Sequence, residues 1–283
     1  MHSAQELVHC MDRLASLPSV FHRIQAELDS PDASVTRLSQ LVASDPALTA
    51  TLLKVANSAL FGFAQRIDTI SRAVTVLGLQ QVRELSVAIL VTRTFTSLES
   101  RHVDPEMFWR SSVLRAVACR AAFHVSSGQR QERGFVTGLL ANLGHMVMFL
   151  TVPELAIVAA NRAAEEDGNL PAIERAVVGC DHAEIGGCLA DAWGLPPAIG
   201  VAISAQHQPG LAGANSRDAW MLYLANHIVM AENGHIASDD VATDLDPDLW
   251  QSTGLQPEHF STIREEAELN LASALSLFYP RSQ

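Results

Sequence analysis

Residues Phe135–Leu150 read FVTGLLANLGHMVMFL, and the reading of this stretch decides the fold. Thirteen of its sixteen residues are apolar or glycine, and only Thr137, Asn142 and His145 interrupt it. A run that is apolar on every side at this length predicts a helix buried all round, not an amphipathic surface helix. At 3.6 residues per turn, Gly138, Asn142, His145 and Phe149 share one face. The expected centre of the fold is therefore a buried helix with one polar seam. An unpaired buried polar group costs roughly 1–3 kcal/mol, so Asn142 and His145 need partners. Two readings fit: a pair of satisfied core residues, or the floor of a pocket.

Helix signals continue in both directions, and no segment carries a convincing strand pattern. Asp45-Pro46, Asp104-Pro105 and Asp246-Pro247 each read as a helix start. The Asp side chain accepts from orphan N–H groups, and Pro at the first helical position has no N–H to lose. Asp181 with Glu184 predicts a capping box opening DHAEIGGCLADAW, and Gly194 suits its stop. Val35, Leu38, Leu41 and Val42 form one helical stripe; Met221, Leu224, Ala225, Ile228 and Val229 form another. Breaks are expected at 60–68, 98–103, 126–133, 167–170 and 208–215. The fold class is all-α, with two packed helical bundles. The expected segments are 1–100, 101–235 and a C-terminal extension, 236–283, packed on the second bundle. The helix opened by Pro105 suits either bundle. In the extension, Phe260, Ile263, Ala267, Leu271, Ala274, Leu275 and Phe278 lie on one face, fit for packing on the same chain or for a dimer contact.

A chain of 283 residues, 48% hydrophobic and 18% charged, has ordinary globular composition and ample material for a core. The sequence shows no run of about 18 apolar residues, so no membrane span is expected. The N-terminal MHSAQELVHCMDRL carries acids and no apolar core of a secretory signal. Cys10, Cys119, Cys180 and Cys188 show no paired spacing, which fits reduced, mostly buried thiols and a cytoplasmic location. The charge is lopsided. Residues 1–160 carry 14 basic and 13 acidic side chains, whereas 161–283 carry 5 and 18. An acidic second half repels nucleic acid and anionic lipid, and a macromolecular partner for it would be a basic protein surface. A plain solvated acidic face explains the same numbers. Arg83, Arg93, Arg110, Arg115 and Arg120 are candidates for a basic strip, with solvated arginines as the alternative.

There is no phosphate-binding glycine loop, no G-x-S-x-G, no H-E-x-x-H and no dinucleotide fingerprint. The four cysteines do not make a zinc site. What remains is a scatter of helical His and Asn: His124, Asn142, His145, His182, His207, Asn226 and His227. His182 shares a face with Ile185, Gly186, Leu189 and Trp193, which turns its ring to the core. Asn57, after the helix of LLKVANS, reads as a side chain capping backbone groups at a turn.

DPALTATLLKVANSALFGF (45–63) followed by ISRAVTVLGLQQVREL (70–85) resembles the signature of the HDOD family. These are bacterial regulatory proteins related to the HD superfamily of metal-dependent phosphohydrolases. GLLANLGHMVMF (138–149), DHAEIGGCLADAWGLP (181–196) and AISAQH (202–207) agree with it in order. The resemblance implies an HD-like second bundle and places the superfamily's metal-ligand positions at Ser111, Ala141, Asn142 and Asn226. Each is a residue of poor or no metal affinity. His182 and His207 match additional histidines of two-metal relatives. The GYP motif of cyclic-dinucleotide phosphodiesterases would follow His207, where this chain has QPGLAGANS.

Such enzymes use metal to lower the pKa of bound water from about 15.7 toward 7. Without the ligands, hydrolysis is not expected, nor any cofactor. The resemblance thus implies a non-catalytic signalling protein that binds another protein, with a nucleotide cyclase or sensor kinase as the partner by analogy. The alternative is a residual phosphohydrolase-like protein binding metal, a cyclic dinucleotide or an alarmone through Asn142, His145, His182 and His207.

Overall fold

The computed structural model describes residues 1–14, 17–58, 65–98, 101–128, 132–166, 169–234, 242 and 245–279. The expected breaks at 60–64, 99–100, 129–131 and 167–168 lie outside them. Among the described residues there is no strand, and the architecture is all-α. In chain order the helices are α1 (Ala4–Leu14), α2 (Ser19–Leu28), α3 (Val35–Ala43), α4 (Pro46–Ala56), α5 (Ile70–Leu77) and α6 (Leu79–Thr96). Then come α7 (Pro105–Ser127), α8 (Glu132–Leu140), α9 (Leu143–Thr151), α10 (Pro153–Glu165), α11 (Leu170–Val177), α12 (His182–Ala192) and α13 (Pro197–Ser204). A 3-10 segment (Pro209–Asn215) leads to α14 (Ser216–Glu232), α15 (Pro247–Thr253) and α16 (His259–Phe278).

The chain divides into two compact units. One comprises Met1–Leu14 and Glu99–Ala267, the other Ala15–Leu98 and Glu268–Gln283. This differs from the expected 1–100, 101–235 and 236–283 at both ends. Leu7, Val8 and Met11 give α1 a buried stripe that packs on α9 and α12, and the His2 N–H donates to the Val178 carbonyl at 2.7 Å. At the other end, the part of α16 from Glu268 onward belongs to the smaller unit. Within that unit, Leu277 and Phe278 line a cavity of about 350 Å³ with Thr51, Ile89 and Thr92. Phe260, Ile263, Ala267, Leu271, Ala274 and Phe278 are all buried within the chain, so the stripe is not a free dimer face.

The Phe135–Leu150 stretch is buried, as its composition requires, but it is not one helix. It turns at Ala141-Asn142, between α8 and α9. The turn resets the helical phase and splits the expected seam. Gly138 faces α7, where an added Cβ would lie 2.6 Å from the Arg115 carbonyl oxygen. Gly144 and His145 face the start of α12, where a Cβ on Gly144 would lie 1.9 Å from the His182 carbonyl oxygen. By length and composition Arg133–Thr151 does reach the size of a membrane span, contrary to the expectation, but 72% of that window is buried inside the protein. Among the described residues, one other candidate is the pair α5 and α6, bent by 118° at the break between them.

Local chemistry sets the helix ends. Asp45, Asp104 and Asp246 accept from Leu48, Glu106 and Asp248 N–H groups, each with Pro in the first turn. Asp181 and Glu184 form the reciprocal capping box. The four cysteines are free, though Cys10 is exposed and not buried. Arg115 and Arg120 are buried, so the five arginines form no surface strip.

Asn57 acts as a backbone clasp. Its Nδ2 donates to the carbonyls of Leu53 (2.8 Å) and Ile67 (2.6 Å), and its Oδ1 accepts from the Ile67 N–H at 2.8 Å. The amide thereby joins the end of α4 to the strand of chain that leads into α5. Each such bond contributes about 1 kcal/mol net. Asn57→Ala is expected to lower the unfolding free energy by about 1–3 kcal/mol. A urea midpoint equal to that of the parent protein would show the clasp to be dispensable.

Candidate functional site

The larger unit gathers three histidines around one carboxylate. Glu174, on α11, is the centre, although it was absent from the sequence-derived candidates. Ile173 is buried and Leu170 and Val177 half-buried on the inner side of α11, and Glu174 lies among them at 2% exposure. An acid on the apolar stripe of a short amphipathic helix was the available signal.

Glu174 Oε2 accepts from the backbone N–H of His182 at 3.0 Å and lies 2.6 Å from His182 Nδ1. Its Oε1 lies 2.8 Å from His145 Nε2. That contact is within ion-pair distance and helps hold the Glu174 carboxyl down. The His145 and His182 rings stack with centroids 3.8 Å apart. On the far edge of His182, Nε2 lies 2.9 Å from Nε2 of His207. With Nδ1–H of His182 given to Glu174, the proton in the second contact belongs to His207. The order is His207, His182, Glu174, His145. His207 also lines a cavity of about 330 Å³ with Arg175, Asp181, Ser204 and Gln208.

Each member is placed by a local device. Gly144 lets α9 reach the α12 backbone. The capping box and an Arg175–Asp181 ion pair fix the α12 start, which carries His182 as its first residue. His207 follows α13, which packs on α12.

Electrostatics follow from burial. Desolvation works to raise the Glu174 carboxyl, but the imidazoles of His145 and His182 more than offset it and hold it well below the usual carboxylate range. Burial pushes the His182 and His207 imidazoles down to about 4, and the neighbouring His145 pushes the same way. At neutral pH both rings are therefore neutral.

Beside this cluster runs a second polar row. Arg115 Nε donates to Asn226 Oδ1 at 2.6 Å, Asn226 Nδ2 donates to Gln206 Oε1 at 3.0 Å, and Gln206 Nε2 donates to the Ala141 carbonyl at 3.0 Å. Burial lowers Arg115 to about 10, so it stays cationic at neutral pH, and its Nη1 is buried without a hydrogen bond. Ala141 and Asn226 thus converge through Gln206. Asn142 is the half-buried N-cap residue of α9, its carbonyl accepting from the His145 N–H at 3.1 Å. Ser111 accepts from Asn233 Nδ2 at 3.3 Å. His124 pairs with Glu266 at 3.1 Å, and His227 Nδ1 contacts the Tyr223 carbonyl at 2.9 Å; neither joins the cluster.

The fold is all-α and of the HD-related type. The HDOD domain model matches residues 14–209, and the chain belongs to the HDOD domain family. It is similar in structure to a candidate phosphohydrolase of Shewanella amazonensis SB2B, with a TM-score of 0.74, 25% identity and 99% of each chain covered. An HDOD domain protein of unknown function from Geobacter sulfurreducens gives 0.72 at 22% identity, covering 97% of this chain and 98% of that one. A candidate signal transduction protein of Marinobacter aquaeolei VT8 gives 0.68 at 24% identity, covering 94% of this chain and 59% of that one. An uncharacterised protein of Treponema pallidum is 28% identical over 197 residues, which cover 69% of this chain and 38% of that protein.

Two outcomes follow. Gly144→Ala forces backbone apart at the α9–α12 contact and is expected to cost about 1–3 kcal/mol, with the imidazole cluster disrupted; an unshifted urea midpoint would contradict the close approach. His182 and His207 are neutral in the fold, whereas unfolded histidines take up protons near 6.5. The unfolded state binds more protons between about 6.5 and 4, so stability falls as the pH drops through that window. Glu174, depressed in the fold, adds to the loss at lower pH. Denaturation midpoints that stay level from pH 7 to pH 5 would refute this.

Proposed function

We propose that this protein is a non-catalytic regulatory protein that acts by binding a protein partner through its HDOD domain. The observation that carries the reading is the Arg115–Asn226–Gln206–Ala141 row. The family resemblance places superfamily metal ligands at Ser111, Ala141, Asn142 and Asn226. These side chains offer an alcohol, a methyl and two amides. A cationic guanidinium 2.6 Å from Asn226 adds repulsion toward any divalent ion at that position. The residues present do not fit the superfamily's metal, and without it no hydroxide forms at neutral pH.

The regulatory half of the reading is supported by the family and by the fold shared with the Marinobacter protein described as a candidate signal transduction protein. The acidic balance of residues 161–283 suits a basic surface on the partner, for which a nucleotide cyclase or a sensor kinase is the analogy. One observation favours a second reading, a residual phosphohydrolase-like protein that binds metal or a nucleotide: the convergence of His145, Glu174 and His182.

The test is turnover. Purified full-length protein is incubated with p-nitrophenyl phosphate, bis-p-nitrophenyl phosphate, cyclic dinucleotides and guanosine tetraphosphate, with and without Mn²⁺, Fe²⁺, Mg²⁺ or Zn²⁺. No metal-dependent hydrolysis is expected. Turnover at enzymatic rates that a chelator abolishes would overturn the non-catalytic reading in favour of the second.

A further inference from the structure

We propose that Arg115, with Ser112 one turn earlier on α7, forms a binding site for a small monovalent carboxylate, an inference that rests on the misfit of the neighbouring residues to the superfamily's metal.

Arg115 is 4% exposed, and its one hydrogen bond among the described residues goes to a neutral amide, Asn226 Oδ1 at 2.6 Å. Its Nη1 is buried without an acceptor. The hydroxyl of Ser112, a residue 1% exposed, is likewise buried without a hydrogen bond. Residues three apart on a helix are neighbours on one face, with Cβ atoms about 5–6 Å apart. Two unused buried donors therefore sit side by side on α7. Buried polar groups in folded proteins are paired with protein, water or an ion.

Charge decides among these partners. The acids of the surroundings are engaged elsewhere: Asp218 with Arg133 at 3.0 Å, and Glu174 with His145 and His182. Burial pushes the thiol of Cys119, one turn beyond Arg115, well up, so it carries no charge at neutral pH. His207 is neutral as well, while Arg115 stays protonated. A buried charge is tolerated when a counter-charge shares its surroundings, and water supplies none.

The chemistry of the ligand follows from the same atoms. One positive charge calls for one negative charge, and a divalent sulfate or phosphate would reverse the imbalance. With Nε given to Asn226, the guanidinium keeps its Nη1–Nη2 edge, whose parallel N–H groups match the two oxygens of a carboxylate. The Ser112 hydroxyl can donate to one of those oxygens. The cavity of about 330 Å³ lined by Ala205 and His207, the sequence neighbours of Gln206, lies at the Gln206 end of the row and offers an approach. A site of this kind takes neither a metal nor a nucleotide, and it uses none of the clustered histidines.

The probes are sodium formate and sodium acetate. Full-length protein is melted across a concentration series of each, with sodium methanesulfonate holding the ionic strength constant, and [¹³C]formate binding is followed by NMR line broadening. The melting temperature is expected to rise along the logarithmic course of one-site linkage. Half-saturation is expected between micromolar and millimolar concentration, the range open to so small a ligand. Arg115→Gln should abolish both the rise and the broadening. Arg115→Lys, which keeps the charge and loses the fork, should weaken binding about 10-fold, and Ser112→Ala should weaken it less. Arg162→Gln, on the exposed face of α10, should respond as the parent does. Should Arg115→Gln not fold, Ser112→Ala and the parent spectra decide. Overturning results are a melting temperature indifferent to both acids, an equal rise with chloride or sulfate, or a response unchanged in the Arg115 variants or, where those do not fold, in Ser112→Ala. Carboxylate binding alongside metal-dependent hydrolysis would overturn the non-catalytic reading and leave this site standing; neither binding nor hydrolysis would do the reverse.

Discussion

The larger unit is arranged around one buried negative charge. Glu174 sits in the core at 2% exposure, where an ionised carboxylate is tolerated only with partners on each lone-pair direction. It has the His182 backbone N–H, the His182 ring and the His145 ring. To supply them, α9, α11 and α12 must meet within a few ångströms. That requirement explains the capping box at Asp181, the glycine at 144 and the ion pair of Arg175 with Asp181. Moving any one of these helices would strand a charge where water cannot reach it.

Two polar systems of different character lie in this unit. The Glu174 system is a carboxylate among neutral rings, rich in lone pairs. The Arg115 row is a cation among amides and one backbone carbonyl, rich in N–H donors. They use different residues of the α8–α9 region: His145 belongs to the first and the Ala141 carbonyl to the second. The turn at Ala141-Asn142 is what allows two adjacent stretches of one apolar run to serve both. An uninterrupted helix would fix the angle between these positions at the helical repeat.

Much of this was legible beforehand, and the reasons for what was not are physical. The helix starts at Asp45, Asp104, Asp181 and Asp246 were readable because capping depends on a few adjacent residues. Asn57 was readable for the same reason. The convergence of His145, His182 and His207 could be framed from the family resemblance, though spacing alone placed them on separate helices. Glu174 was missed because a lone acid in LPAIERAV looks like a solvated side chain until its helix is docked. Arg115 was grouped with surface arginines, since its burial depends on α14 and residues 111 positions away in sequence. The break in the 135–150 run was hidden because composition reports burial but not phase. The division of the chain was misjudged at its ends because α1 packs on helices more than 130 residues downstream.

The Arg115 guanidinium carries a wider consequence. A bound ion is borrowed from the surroundings: it can be withheld, exchanged or chelated, and the architecture built on it follows its supply. A cation on a covalent stem, still protonated far above neutral pH, arrives with translation and stays for the life of the chain. The row from Arg115 to Ala141 is therefore assembled by folding itself, indifferent to the cell's inventory of metals.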